Sequence, residues 1–142
     1  MAIDRTWKRN IARVHLETLA AKHSIAVRWI GPRRDWMEQA GAYESARMVE
    51  IPRPHTPGQY LVGLHEIGHL LGPIRYSGRH DSCHDATAGE WMYMAEASAW
   101  GWAMEHIHAE LEERIELRHV AQAVGVSMTT HAWHIAYNAE GR

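Results

Sequence analysis

Residues 59–71 read QYLVGLHEIGHLL, with His65, Glu66 and His69 as a H-E-x-x-H pattern among otherwise uncharged side chains. A stretch this apolar belongs in a core. Burying two imidazoles and a carboxylate there is costly unless something pairs them. On an α-helix, residues four apart share one face, about 6 Å apart in rise. Two imidazoles at that spacing reach one Zn²⁺ at ~2.1 Å, and Glu66 falls beside the metal's open position, placed to take a proton from water. The helix ends are marked as well. Thr56 serves as N-cap, Pro57 suits the first helical position, Gln59 completes a T-x-x-Q capping box, and Gly72-Pro73 stops the helix. The competing reading is an amphipathic core helix with two incidental histidines.

The rest of the chain sets the frame for that helix. A length of 142 residues suits one domain spanning residues 1–142. Net charge is −2, which argues against binding nucleic acid through bulk electrostatics. No apolar run approaches the ~20 residues of a membrane span. The N-terminal MAIDRTWKRN has no apolar signal region, and Cys83 alone allows no intrachain disulfide, so a reducing cytoplasm is expected.

Asp4 is expected to cap a helix over residues 5–22 with Trp7, Ile11, Val14 and Leu19 as its apolar stripe. Alternation predicts strands over residues 24–30 and 45–51, closed by Gly31-Pro32 and by Pro52 and Pro54. The second strand, just ahead of the H-E-x-x-H helix, reads equally as a plain structural edge or as an edge able to add an extended peptide. Residues 33–42 are ambiguous, with one helical turn around Trp36 and Met37 as an option. A loop from Pro73 to Ala86 holds His80, Asp81, Cys83, His84 and Asp85. Cys83, between two histidines, raises the idea of a redox latch on the metal. Thr87 and Glu90 then open a helical stretch to about Leu117, and Gly125 is expected to break the chain before a further helix after Ser127. The expected fold is α+β, a short antiparallel sheet packed against the H-E-x-x-H helix and a following glutamate helix.

The third ligand decides the subclass, because a catalytic zinc site normally keeps three protein ligands. The longer pattern H-E-x-x-H-x-x-G-x-x-H fails, since Arg75 stands at its last position and a guanidinium has no free lone pair. Glu96 fits best. It lies in EWMYMAEASAWGWAME, where Ala95, Ala97, Ser98, Ala99, Gly101 and Ala103 let two helices approach closely. Glu90 ranks second because of its capping role, and His80 or His84 remains a third option. Tyr76, His80, His84 and Tyr93 are candidates to stabilise an oxyanion.

HEIGHLLG followed by Glu96-Ala97-x-x-Trp100 resembles the ImmA/IrrE family of small gluzincin-like metallopeptidases, with Trp100 where that family usually has Phe. Residues 120–133, VAQAVGVSMTTHAW, are similar to the family's following stretch, where a short helix leads into a turn, and the resemblance covers about residues 5–135. It implies a zincin-like domain, Zn²⁺ held by His65, His69 and Glu96, Glu66 as general base, and a protein substrate, often a helix-turn-helix repressor encoded by phages or mobile elements. Two rival readings stand beside it. One is a non-catalytic metal-binding interaction protein. The other is a helix-turn-helix DNA-binding regulator built on residues 120–133, although residues 127–138 hold no Lys or Arg.

Overall fold

The computed structural model describes residues 6–31, 39–76 and 88–139. Its elements are α1 (Arg9–Lys22), β1 (Ala26–Ile30), β2 (Gly41–Tyr43), β3 (Met48–Pro52), α2 (Pro57–Leu71), α3 (Ala88–Glu105), α4 (Ala109–Glu112) and α5 (Leu117–Ala139). This is the α+β arrangement expected, a small sheet packed against helices in one domain. Asp4, Trp36, Met37, the 77–87 loop residues His80, Asp81, Cys83, His84 and Asp85, and the Thr87 cap lie outside the described residues.

The sheet is mixed, which corrects the antiparallel expectation. Strand order is β1-β3-β2. β3 runs parallel to β1, with Ala26 opposite Met48 and Ile30 opposite Pro52, and antiparallel to β2. A turn at residues 44–47 reverses the chain between β2 and β3, with Arg47 in the left-handed region at φ 47°. Residues 31–47 supply the long connection that a parallel pair requires. The strand ahead of the metal helix is therefore central, and β1 and β2 are the edges.

α2 lies at the centre, and every residue from Tyr60 to Leu70 is buried. Val49 and Ile51 of β3 join its core. Its N-terminus is capped as expected: Thr56 Oγ1 accepts the Gln59 N–H at 3.2 Å. The Gln59 carboxamide reaches back one residue further than in a standard box, accepting the His55 N–H at 3.0 Å. Two glycines let neighbouring helices come close. A Cβ on Gly63 would lie 2.9 Å from Leu16 of α1, and one on Gly68 would lie 2.6 Å from the Ala99 carbonyl oxygen of α3. The second contact is with backbone and has no room to yield. Gly68→Ala is accordingly expected to push α2 and α3 apart at a cost of about 1–3 kcal/mol. Thermal denaturation checks this, and a melting temperature equal to wild type would refute the close approach.

α1 buries Ala12, Leu16 and Ala20, one position per helical turn, rather than the stripe expected. Ile11 and Leu19 only flank the core, and Val14 is 51% exposed. The larger residues gave a misleading stripe because the Gly63 contact selects the smaller face. Trp7 is buried before the helix starts and donates its indole N–H to the Pro54 carbonyl at 2.9 Å. Midway along α1, His15 Nδ1 lies 2.7 Å from the Tyr60 hydroxyl, which also accepts the His108 N–H at 3.0 Å. Burial first, then the neighbouring His108 and His106, push His15 down to about 4, so it is neutral at pH 7. The Tyr60 hydroxyl thus ties α1 to the start of α4, bonded to His15 and His108 together.

Two helix boundaries differ from expectation. α3 ends at Glu105 instead of running to Leu117. His106 places its ring Nδ1 2.7 Å from the Trp102 carbonyl, the group its own backbone N–H would bond in a continuing helix, while that N–H turns to Ala103 at 3.1 Å. The ring also stacks on Trp102 with centroids 3.9 Å apart. A side chain substitutes for the backbone donor, and no Gly or Pro is needed. In contrast, α5 runs unbroken through Gly125. Val120, Ala123, Val124 and Met128 keep helical spacing toward the core, which outweighs the ~1 kcal/mol cost of an interior glycine. Residues 125–127 therefore form no turn, which removes both the turn the helix-turn-helix reading needs and the short helix and turn that the family resemblance implied over residues 120–133.

Candidate metal centre

α2 carries His65 and His69 on one face, and α3 brings Glu96 against them through the Gly68–Ala99 approach. His65 Nε2 lies 2.7 Å from Glu96 Oε1, and His69 Nε2 lies 2.7 Å from Glu96 Oε2. The two Nε2 atoms are 3.1 Å apart. All three residues are buried, Glu96 to 1% exposure. One ligand atom from each falls within 4.8 Å of the others, so the group is able to hold a metal ion. A tetrahedral ion with bonds near 2.1 Å separates its ligand atoms by about 3.4 Å, so the contacts of 2.7–3.1 Å here would open by a few tenths of an ångström to admit it.

Each Glu96 oxygen has an imidazole and a hydroxyl. The Ser127 O–H donates to Oε1 at 3.1 Å, and the Tyr76 O–H donates to Oε2. Rings hold the histidines in place: His65 stacks on Trp100 with centroids 4.1 Å apart and planes 24° apart, and His69 stacks on Tyr76 at 5.0 Å and 19°. Tyr76 itself sits on a segment pinned to α3. The Ile74 N–H donates to Ser98 Oγ at 3.2 Å, and the Trp91 indole N–H donates to the Arg75 carbonyl at 2.7 Å.

The electrostatics follow from this packing. Burial pulls the His69 imidazolium down, but the Glu96 hydrogen bond and charge, with Glu66 and Glu44 beyond, outweigh it and hold His69 above its ordinary range. Burial and the Glu96 carboxylate push the Tyr76 phenol up, so it keeps its proton across the physiological range.

A cavity of about 220 Å³ opens onto the group, lined by Glu66, His69, Tyr76, Glu96 and the β2 region at Ala40, Gly41 and Ala42. It adjoins a wider groove of about 780 Å³ that shares Ala42 and Tyr76 and adds Tyr43, Glu44, Ser45 and Arg75. Glu66 is 8% exposed, with Oε1 3.9 Å from His65 Nε2.

The structure thus brings together His65, Glu66, His69 and Glu96. Glu90 is exposed in the first turn of α3 and belongs to no metal-holding group among the described residues. Of the oxyanion candidates, Tyr76 lines the cavity and Tyr93 is exposed elsewhere on α3, while His80 and His84 lie outside the described residues. Sequence reasoning missed Ser127. Its signal was a lone hydroxyl at helical spacing from Val120, Ala123 and Val124, the polar member of an otherwise apolar face. Comparison with known proteins adds no relative, since no family model, curated protein or solved structure matches the chain.

Proposed function

We propose that the chain is a zinc-dependent peptidase of the H-E-x-x-H…E type, hydrolysing a peptide bond in a protein substrate. The observation that carries this reading is Glu66, an acidic side chain outside the His65–His69–Glu96 group that lines the same cavity. A site that only holds a metal has no need of it. Two imidazole nitrogens and one carboxylate suit zinc in a catalytic role, where three protein ligands are usual.

Zinc held there would polarise the scissile carbonyl and acidify water. The chain's own residues do the rest. Glu66 takes the proton of the attacking water on its carboxylate and returns it to the leaving amine. Tyr76, kept protonated, offers its phenol O–H to the carbonyl oxygen as charge develops there. β2, the edge strand beside the cavity, presents backbone groups on the side away from β3 for an extended substrate strand. The edge role moves from the strand expected to its hairpin partner. The family resemblance extends the proposal to a transcriptional repressor as substrate, cut in the cytoplasm. No helix among the described residues is long and apolar enough to cross a bilayer.

The test is metal content. The purified protein is expected to carry close to one Zn²⁺ per chain, and His65→Ala to lose most of it. Undiminished zinc in that variant would move the metal away from α2 and overturn the proposal.

A further inference from the structure

We infer that Trp100 and Ser127 form a relay of positioning residues that orients Glu96 as a metal ligand, an inference that rests on the metal-holding reading of His65, His69 and Glu96. The Trp100 indole Nε1 lies 3.2 Å from Ser127 Oγ, and Ser127 Oγ lies 3.1 Å from Glu96 Oε1. The direction of this chain follows from the chemistry. An indole N–H only donates, so Ser127 Oγ accepts it, and the single serine proton is left for the carboxylate. Each bond polarises the next, which sharpens the orientation of the last one.

The relay addresses a specific difficulty. Glu96 has three rotatable side-chain bonds and must present one carboxylate to two imidazoles on another helix. Tyr76 restrains Oε2, and Ser127 restrains Oε1 beside His65. Ser127 comes from α5, so the last helix fixes a ligand of α3 against the histidines of α2. Trp100 contributes twice. Its face stacks on His65 and its edge reaches Ser127, so one rigid ring registers a histidine ligand and the carboxylate ligand together. Hydrogen bonds of this outer kind typically change metal affinity by 10–100-fold when removed.

Zinc titration of the full chain, in competition with a chromophoric chelator after metal stripping, tests this without any substrate. Circular dichroism and thermal melting of each metal-free variant check that it is folded. Ser127→Ala is expected to weaken zinc binding about 10–100-fold. Ser127→Thr, which keeps the hydroxyl, is expected to restore affinity. Trp100→Phe keeps a ring over His65 but has no donor, and is expected to weaken binding in the same direction. In a serial relay, Trp100→Phe adds little once Ser127 is already Ala. Wild-type affinity in folded Ser127→Ala would overturn the inference, as would full additivity of the two changes. If Ser127→Ala does not fold, wild-type affinity in Trp100→Phe overturns it instead. Zinc-free wild-type protein under saturating metal is a different failure. It would remove the metal reading itself, and the relay with it.

Discussion

Glu66→Gln is expected to leave the chain folded and zinc-loaded while lowering peptide hydrolysis by about 10²–10⁴-fold. Gln has the size of Glu and can still hydrogen-bond water in the cavity, but an amide does not accept the proton that attack releases. The fold has little reason to respond, because Glu66 lines the cavity and the substitution keeps its shape. Metal content has little reason to respond either, because Glu66 stands outside the group of His65, His69 and Glu96. Zinc analysis and circular dichroism check the first half of the expectation, and a peptide-cleavage assay checks the second. Cleavage near the wild-type rate would sink the role given to Glu66. A wild-type protein that holds zinc and binds a protein partner without cutting it would favour the interaction-protein reading instead.

Much of the candidate site was legible from residues alone because its logic is local. The spacing of His65 and His69 sets their common face whatever packs around them, and Thr56, Pro57 and Gly72 mark the helix ends through backbone chemistry within a few residues. Glu96 was legible for a different reason. A carboxylate among Ala95, Ala97, Ala99 and Ala103 has no solvent to face once that helix packs closely, and at 1% exposure it does not. The glycine at position 68 is the matching half of that approach.

What could not be read depends on contacts far apart in the chain. Nothing near His106 forbids a helix; α3 stops there because its ring takes the Trp102 carbonyl, and the chain then reaches the Tyr60 hydroxyl through the His108 N–H. Gly125 looked like a break, yet the apolar residues on either side keep one helical face against the core. β3 read as an edge because its alternation says only that one face is buried. Whether a strand has one neighbour or two is decided by where the connections go, and residues 31–47 carry the chain from one side of β3 to the other. Ser127 was hidden for the same reason, since its meaning comes from Trp100 and Glu96 on a different helix.

The second large effect expected is on zinc itself, from Glu96→Ala. The Glu96 carboxylate supplies one of the three ligand atoms in the group and its only negative charge, and it organises the others through two imidazoles and two hydroxyls. Zinc affinities of about 10–16 kcal/mol, divided among four ligands, assign roughly 3 kcal/mol to each, or about 10²-fold in affinity. Glu96→Ala is therefore expected to weaken zinc binding by at least that factor in a chelator competition. Exposed Glu90, replaced by Ala, is expected to change it little. The same holds for His80→Ala and His84→Ala, because His65, His69 and Glu96 already converge as a metal-holding group. This set of four variants separates a carboxylate site from a three-histidine one. Strong zinc loss in His80→Ala or His84→Ala, with Glu96→Ala near wild type, would assign the third ligand to the loop and make Glu96 a buried counter-ion to the two histidines.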